Sequence, residues 1–377
     1  MVDEALINKE FPQEDGLIYM NHAAVAPWPA RTRDAVRHFA DENAVTGAKN
    51  YQQWLRKETE LRRQIQNLLH VPSLEDIALL KNTSEALSVV ACGLDWQTGD
   101  NVVTSAEEFP SNRIPWQAQG QYGVKLKEID IRVEEPEQAL QAACDARTRV
   151  LAISSVQYGS GIRLDLEILG RYCREHNILF CVDAIQGIGA VDMDVMAIQA
   201  DFVMADGHKW MLGPEGIALF YSRPAARESL TLRQYGWHMV ETTDFDHREW
   251  EIARSARRFE CGSPNMLGIH ALSASLSLLE QIGMQEIERG VLENIDYLFE
   301  LLKGIKGIKF LTPQERERHA GIINFTIAQV DMLDVYHKLL KNNIICVYRG
   351  GGLRLSPHFY TSRDKISKTV EVINTII

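Results

Sequence analysis

The chain has 377 residues, of which 45% are hydrophobic and 24% charged, and its formal net charge is −11 at pH 7. A chain of this length is expected to form about two domains, and its core needs no disulfide or structural metal. The ordinary composition excludes a disordered or collagen-like chain, and the acidic balance argues against nucleic acid or an anionic membrane as a partner.

The start of the chain and the cysteines both favour a cytoplasmic protein. Residues 1–4 lack the basic and apolar regions of a signal peptide, and no apolar run approaches the ~18 residues of a membrane helix. The 6 cysteines form neither a Cys-x-x-Cys pair nor a Cys/His cluster. We therefore expect reduced cysteines, most of them in the core, and no metal site.

Short apolar runs alternate with helical stretches between residues 77 and 222. This alternation predicts an α/β fold with a mostly parallel sheet that helices cover on both faces. Ligands of such sheets bind beyond the carboxyl ends of the strands, so we expect the functional residues there. The predicted strands lie at 77–80, 101–104, 150–156, 178–183, 201–205 and 216–221, and predicted helices lie at 84–93 and 166–176.

The pattern changes after about residue 260, where helical and strand-like segments predict a smaller α+β domain. A long helical segment at 267–304 has candidate breaks at Gly283 and Gly290. We predict a large domain at 17–258 and a small domain formed by 1–16 and 259–377. The remaining elements are predicted strands at 321–327, 344–349 and 353–356 and predicted helices at 332–341 and 363–376.

Two groups with complementary chemistry fall at the expected edge of the sheet. Asp183 ends one apolar strand, and Lys209 follows the end of another strand 26 residues later. A lysine amine forms a Schiff base with the aldehyde of pyridoxal phosphate, and a carboxylate keeps the pyridine nitrogen protonated so that the ring accepts electrons. Taken singly, Asp183 could instead cap the following turn, and Lys209 could be a surface residue before a loop.

A third element supports this interpretation, because Asn82-Thr83-Ser84-Glu85 follows the strand at 77–80 with capping-box spacing. Such a helix start offers N–H groups and hydroxyls to an anion, although an ordinary helix cap looks the same. Competing motifs are incomplete. Gly187-Ile-Gly189 lacks the third glycine of a dinucleotide loop, and no P-loop or His-Glu-x2-His zinc motif occurs.

In their order along the chain, these motifs resemble those of the class V aminotransferases. That family belongs to the fold type I pyridoxal phosphate enzymes, together with cysteine desulfurases, kynureninases and isopenicillin N epimerases. The resemblance covers nearly the whole chain and implies that the large domain binds the cofactor. It rests on Tyr19-Met-Asn-His22-Ala-Ala, Asn82-Thr83-Ser84-Glu85-Ala86-Leu87, Asp183-Ala-x-Gln186, His208-Lys209 and Leu353-Arg354-Leu-Ser-Pro-His.

The resemblance implies a role for each residue that faces the cofactor ring. Lys209 is similar to the Schiff-base lysine, and Asp183 to the partner of the pyridinium nitrogen. Gln186 resembles the residue that hydrogen-bonds the phenolic oxygen. Phe109 matches the aromatic residue that stacks on the ring in the kynureninase-like branch, where desulfurases have His. A core Phe near a turn is the alternative for Phe109.

The resemblance also implies a phosphate site shared between two subunits. Thr83, Ser84 and His208 look like phosphate ligands. Ser263 matches the hydroxyl that reaches the phosphate of the opposite subunit, so the resemblance implies a homodimer with shared active sites.

Substrate binding is implied for a further group of residues. Arg354 matches the arginine that holds the substrate carboxylate, a task that suits a planar guanidinium. Asn21 and His22 lie in a segment that lines the substrate mouth in relatives, and Trp237 is a further candidate. A structural role is the alternative for each of them.

The sequence departs from the family at three places. Asp206 stands where relatives often have Ser, and a carboxylate there would repel the phosphate. Tyr158 stands where desulfurases have Asn. Between Val347 and Arg354, three glycines replace the longer loop that carries the nucleophilic cysteine of group II desulfurases, while Cys346 lies in a predicted core strand.

These features lead us to predict an aminotransferase that acts on a small amino acid. In this prediction Lys209 removes the α-proton and returns it at the cofactor carbon. A C–S lyase or an epimerase of the same family is the first alternative, and a non-catalytic pyridoxal phosphate-binding protein is the second. Desulfurase activity through a persulfide is disfavoured because of the glycines before Arg354.

Overall fold

The computed structural model describes residues 3–242, 246 and 248–377, which contain twelve α-helices. The helices are α1 (Glu4–Glu10), α2 (Ala30–Thr46), α3 (Tyr51–Leu69), α4 (Thr83–Gly93), α5 (Ile114–Ala118), α6 (Pro136–Ala143), α7 (Leu166–His176), α8 (Pro224–Glu228), α9 (Met266–Ile282), α10 (Met284–Leu302), α11 (Met332–Lys341) and α12 (Arg363–Ile376). None of these described helices is both long and apolar enough to cross a bilayer.

The same residues contain thirteen strands, which form three sheets. The strands are β1 (Ile18–Tyr19), β2 (Ile77–Leu80), β3 (Asn101–Ser105), β4 (Lys125–Ile129), β5 (Thr148–Ser154), β6 (Leu179–Asp183), β7 (Phe202–Asp206), β8 (Ala218–Ser222), β9 (Ile308–Phe310), β10 (Ile323–Ile327), β11 (Ile344–Ile345), β12 (Val347–Arg349) and β13 (Gly352–Leu355).

The large sheet has seven strands in the order β2-β8-β7-β6-β5-β3-β4. Its pairings are parallel except for those that β8 makes with β2 and β7. The central strands β5, β6 and β7 are buried on both faces, as their apolar sequences require. The predicted α/β fold with a mostly parallel sheet is therefore confirmed.

The smaller lobe has an antiparallel sheet in the order β12-β13-β10-β9, and its core also takes in β11. Strand β1 pairs in parallel with β11, which brings Ile18 and Met20 into this core. In contrast, Ile269, Leu272 and Leu276 of α9 pack in the core of the large sheet. The domain boundary at 17–258 stays a prediction. These contacts show that the core of each lobe includes residues from the other side of that predicted boundary.

Two details of the smaller lobe differ from the predicted elements. The long helical segment is interrupted at Gly283, whose φ of +88° lies in the left-handed region, and it continues through Gly290 inside α10. A Cβ at Gly290 would lie 3.1 Å from Phe359 Cβ, so this glycine serves close packing. The predicted strand at 344–349 is two strands, β11 and β12, separated at Cys346.

Candidate active site

The predicted catalytic groups meet at the carboxyl edge of the large sheet. Asp183 is the last residue of β6, Asp206 is the last residue of β7, and Lys209 follows shortly after. Arg354 comes from β13 of the smaller sheet, and its Nη1 donates to the carbonyl oxygen of Tyr158 at 2.7 Å. The site therefore lies where the two lobes touch.

Lys209 and Asp183 are tuned by burial. Burial lowers the pKa of Lys209 to about 8, with Arg354 adding to the effect and Asp183 opposing it. Burial also raises the pKa of Asp183 to about 6, although its carboxylate accepts a hydrogen bond from the Ile185 N–H at 3.1 Å. At neutral pH, Asp183 stays mostly ionised while Lys209 loses its proton readily, which suits an anchor for a ring nitrogen and a base.

An aromatic wall lies beside the Lys209 amine. Its Nζ is 5.8 Å from the centroid of the Phe109 ring. The Phe109 ring meets the Tyr158 ring edge to face, with centroids 5.1 Å apart. Phe109 is therefore at the site rather than in the core, and its stacking role stays a prediction.

Glu108 is a buried carboxylate of the site that the sequence analysis missed. It accepts hydrogen bonds from the Ser154 N–H at 2.7 Å, from the Gln157 amide at 2.9 Å and from the Asn112 amide at 2.9 Å. Burial raises its pKa to about 7. These bonds tie the turn that carries Phe109 to the end of β5. The available signal was a second acidic residue directly before the aromatic one.

The predicted phosphate ligands gather at the start of α4. The Thr83 N–H donates to Asp206 Oδ1 at 3.2 Å, and the Asp206 N–H donates to Thr83 Oγ1 at 3.1 Å. His208 Nδ1 lies 3.7 Å from Asp206 Oδ2, and burial lowers the His208 pKa to about 4. Ser84 Oγ is exposed and lies 2.8 Å from Ser111 Oγ. Asp206 therefore points into this cradle.

Two buried nitrogens at the site have no hydrogen-bond partner among the described residues, namely His208 Nδ1 and Arg354 Nε. Folded proteins seldom leave such groups unpaired. A phosphate near His208 and a carboxylate near Arg354 would supply the acceptors, and the Lys209 amine is suited to an aldehyde. The residues present therefore fit pyridoxal phosphate together with an amino acid.

Gln186 is held on both sides of its amide. Its Nε2 donates to the Ala23 carbonyl oxygen at 3.0 Å, and its Oε1 accepts from the Trp210 indole N–H at 2.9 Å. One amide hydrogen remains for a ligand. The bond to the phenolic oxygen stays a prediction, and the observed contacts fix the orientation of the amide.

Two of the residues predicted to bind substrate, Arg354 and Asn21, lie together at the site. The Arg354 side chain is fully buried, and its Nη2 donates to Asn21 Oδ1 at 3.3 Å. No described carboxylate pairs with it, and burial lowers its pKa to about 9. A buried cation with only neutral partners is an electrostatic site for a carboxylate.

The remaining predicted residues lie around this centre. His22 is fully buried, with Nδ1 2.9 Å from the Ser356 carbonyl oxygen and Nε2 2.6 Å from the Tyr360 hydroxyl, so it supports the segment instead of lining its surface. Trp237 is exposed and its ring packs against His238. Ser263 is also exposed. The roles given to Trp237 and Ser263 stay predictions.

Comparison with known proteins identifies the family. The family model described as "Aminotransferase class-V" matches residues 18–363. A curated relative from Methanothermobacter thermautotrophicus, named "Probable cysteine desulfurase", is 29% identical, and the match covers 98% of this chain and 97% of the relative.

Solved structures show the same fold. The apo structure of a cysteine desulfurase from Thermococcus onnurineus NA1 has a TM-score of 0.88 and 25% identity, with 100% of this chain and 98% of that chain covered. A C-DES mutant with glycine covalently linked to its pyridoxal phosphate cofactor has a TM-score of 0.91 and 19% identity, with 98% and 99% covered.

These findings correct the predicted activity. The relative is named a probable cysteine desulfurase and the first structure a cysteine desulfurase, so the prediction of an aminotransferase acting on a small amino acid was wrong, as was the argument against desulfurase chemistry. The physical reason is that Lys209, Asp183 and Arg354 form a general apparatus for amino acids, which does not by itself select transamination. The short glycine segment before Arg354 leaves these groups in place, so it does not by itself exclude cleavage of a carbon–sulfur bond.

The family model covers most of the chain, and the residues at the sheet edge fit the cofactor of that family. The chain belongs to the class V aminotransferase family and is a pyridoxal 5′-phosphate enzyme of fold type I.

Proposed function

We propose that the protein cleaves the carbon–sulfur bond of cysteine or of an amino acid with a substituted β-sulfur. The observation that carries this proposal is the likeness to a relative named as a probable cysteine desulfurase over 98% of the chain. The site supports it, because Arg354 offers a carboxylate site close to Lys209. The proposal keeps an α-amino acid as the substrate, as the sequence predicts, but the bond that reacts is now the carbon–sulfur bond.

The residues divide the work as follows. Pyridoxal phosphate, when bound, supplies the aldehyde and the electron-accepting ring. The Asp183 carboxylate holds a proton on the ring nitrogen, and Arg354 orients the α-carboxylate through its guanidinium. Lys209 holds and moves the α-proton at Nζ, which is possible near neutral pH because burial lowers its pKa to about 8. Phe109 excludes water from one face.

Two routes would cleave the bond, and their products differ. Desulfuration gives alanine and transfers the sulfur to an acceptor, whereas elimination gives pyruvate, ammonia and a thiol or sulfide. The proposal concerns the bond that is cleaved, and the products identify which of the two routes the enzyme follows.

The test is to incubate the holoenzyme with L-cysteine and L-cystine and to measure sulfide, persulfide, alanine and pyruvate. We expect a sulfur product in proportion to alanine or pyruvate, and a loss of at least about 10³-fold in K209A. Glu371→Gln, on the exposed face of α12 away from the site, is the control. A keto acid accompanied by an amine form of the cofactor, without any sulfur product, would refute the proposal.

The same family resemblance leads us to propose a homodimer in which Ser263 of one subunit completes the phosphate site of the other. Ser263 and Ser84 are both exposed in the single chain, which supports this arrangement because both hydroxyls are accessible to a second subunit.

A further inference from the structure

A second arginine lies at the mouth of the site. The Arg349 guanidinium carbon is 5.8 Å from the centroid of the Tyr158 ring. The backbone carbonyl oxygen of the same tyrosine accepts the hydrogen bond from Arg354. Arg349 is exposed, and no described carboxylate forms an ion pair with it. Its charge also lowers the pKa values of both Lys209 and Arg354, so it lies within electrostatic reach of the reacting groups.

The backbone of Arg349 is anchored to the large domain. The side-chain amide of Asn324 donates both to the Arg349 carbonyl oxygen at 2.7 Å and to the Gly159 carbonyl oxygen at 2.8 Å. Gly350, with φ +65°, approaches so closely that an added Cβ would lie 2.8 Å from Gly159 Cα. The hairpin between β12 and β13 therefore sits directly on the segment that follows Tyr158.

The two carboxylates that directly precede Phe109 in the chain already have partners. Glu107 pairs with Arg132 and accepts a hydrogen bond from Ser160. Glu108 is buried among its partners at the end of β5, including Ser154. If an α-carboxylate neutralises Arg354, the charge of Arg349 still has no counter-ion among the described residues. An unpaired cation held at the mouth of a pocket attracts a second anion.

We propose that Arg349 is a specificity residue that binds an anionic group at the far end of the substrate side chain. The preferred substrates are then amino acids whose β-sulfur carries an anionic substituent. This inference rests on the proposed cleavage of a carbon–sulfur bond for the choice of sulfur compounds. The preference for an anionic side chain rests only on Arg349 and Arg354 and does not depend on which bond is cleaved.

The test compares two isosteric compounds, S-carboxymethyl-L-cysteine and its neutral amide, S-carbamoylmethyl-L-cysteine. Dissociation constants are measured from the absorbance change of the bound cofactor in the holoenzyme, and cleavage is followed separately as thiol release. We expect wild-type protein to bind the carboxylate at least about tenfold more tightly than the amide. Arg349→Met should reduce this preference to less than about twofold, and Arg349→Lys should keep part of it.

Arg363→Met is the matched control, because Arg363 is also an exposed arginine over a tyrosine ring, with its guanidinium carbon 5.1 Å from the Tyr297 centroid. It should retain the wild-type preference. Equal affinity for the two compounds in wild type, or an unchanged preference in Arg349→Met, would overturn the inference.

The two proposals fail in different ways. Preferential binding of the carboxylate without thiol release, and without any sulfur product from cysteine or cystine, refutes carbon–sulfur cleavage and supports the anion site. Cleavage of both compounds with equal affinity refutes the anion site and leaves the proposed function in place.

Discussion

Lys209 shows how burial prepares one residue for its chemistry. Its pKa is lowered to about 8, so about half of the amine is neutral at pH 8 and about one hundredth at pH 6. Only the neutral amine condenses with an aldehyde. We predict that cofactor-free protein combines with pyridoxal phosphate at a rate that rises with pH and is half-maximal near pH 8, measured by stopped-flow absorbance.

Asp183→Asn tests the electrostatic part of this account. The Asp183 charge favours the protonated amine, so its removal should lower the Lys209 pKa further and move the rate profile to lower pH. K209A gives the background rate. A profile that stays in place in Asp183→Asn would show that Asp183 does not act on the amine.

Asp206 places a carboxylate beside Thr83 in the predicted phosphate site. Burial raises its pKa to about 7, so the carboxylate is mostly neutral at pH 6 and mostly ionised at pH 8. An ionised Asp206 repels a phosphate at α4. We predict that Asp206→Asn binds pyridoxine 5′-phosphate, which has no aldehyde, about tenfold more tightly than wild type at pH 8 and equally at pH 6. Equilibrium dialysis measures both constants, and equal affinities at pH 8 would contradict the prediction.

At the scale of elements, the hairpin between β12 and β13 shows that two neighbouring glycines can serve different purposes. Gly350 and Gly351 both have positive φ, but only Gly350 lies against Gly159, and nothing lies within 4 Å of a Cβ at Gly351. Gly351→Ala should therefore cost about 1 kcal/mol of stability from its φ alone. Gly350→Ala should cost more and should also displace Arg349.

The paired variants are compared by chemical denaturation and by the binding preference for S-carboxymethyl-L-cysteine over its amide. We expect Gly351→Ala to keep the preference and Gly350→Ala to lose it. If both variants behave alike, the close approach to Gly159 does not position Arg349.

The elements differ in how far the sequence predicts them. Strands β5, β6 and β7 are predicted because both faces are buried and their sequences are continuously apolar. Strand β4, Lys125–Ile129, is missed because it lies at the sheet edge, where alternating charges are tolerated and no apolar run forms. The pairing of β1 with β11 joins residues 18–19 to residues 344–345, and no local pattern specifies so distant a contact.

The same limit applies to the site. The positions of Asp183, Lys209 and Thr83 could be predicted, because Asp183 ends β6 while Lys209 and Thr83 each lie three residues after the end of a strand with a clear pattern. Glu108 offered only the weak signal of its place before Phe109, and the place of Arg349 gave none, because both residues make contacts with chain segments farther away in sequence. The activity was not predicted correctly either, because residues that can bind any amino acid do not determine which of its bonds is cleaved.

At the scale of the whole molecule, the active site needs both lobes. Arg354 and Asn324 belong to strands of the smaller sheet, while Tyr158 and Lys209 lie in the segments that follow β5 and β7 of the large sheet. The hydrogen bonds of Arg354 and Asn324 cross between the two lobes. The proposed dimer would add Ser263 from a second subunit.

We predict that the protein is a dimer in solution, with a mass of twice the 42.7 kDa of one chain. Multi-angle light scattering measures the mass. Ser263→Ala should weaken pyridoxal phosphate binding without changing that mass, because it removes one phosphate ligand and leaves the interface intact. A monomer at micromolar concentration that still binds the cofactor tightly would contradict the shared site.

The measurement that tests the central claim most directly is the sulfur and carbon balance of a reaction between the holoenzyme and L-cysteine. We predict one sulfur atom released or transferred for each molecule of alanine or pyruvate formed, with no product in K209A. Carbon–sulfur cleavage would be contradicted if the amino group of cysteine moved to a keto acid while all the sulfur remained bound to carbon.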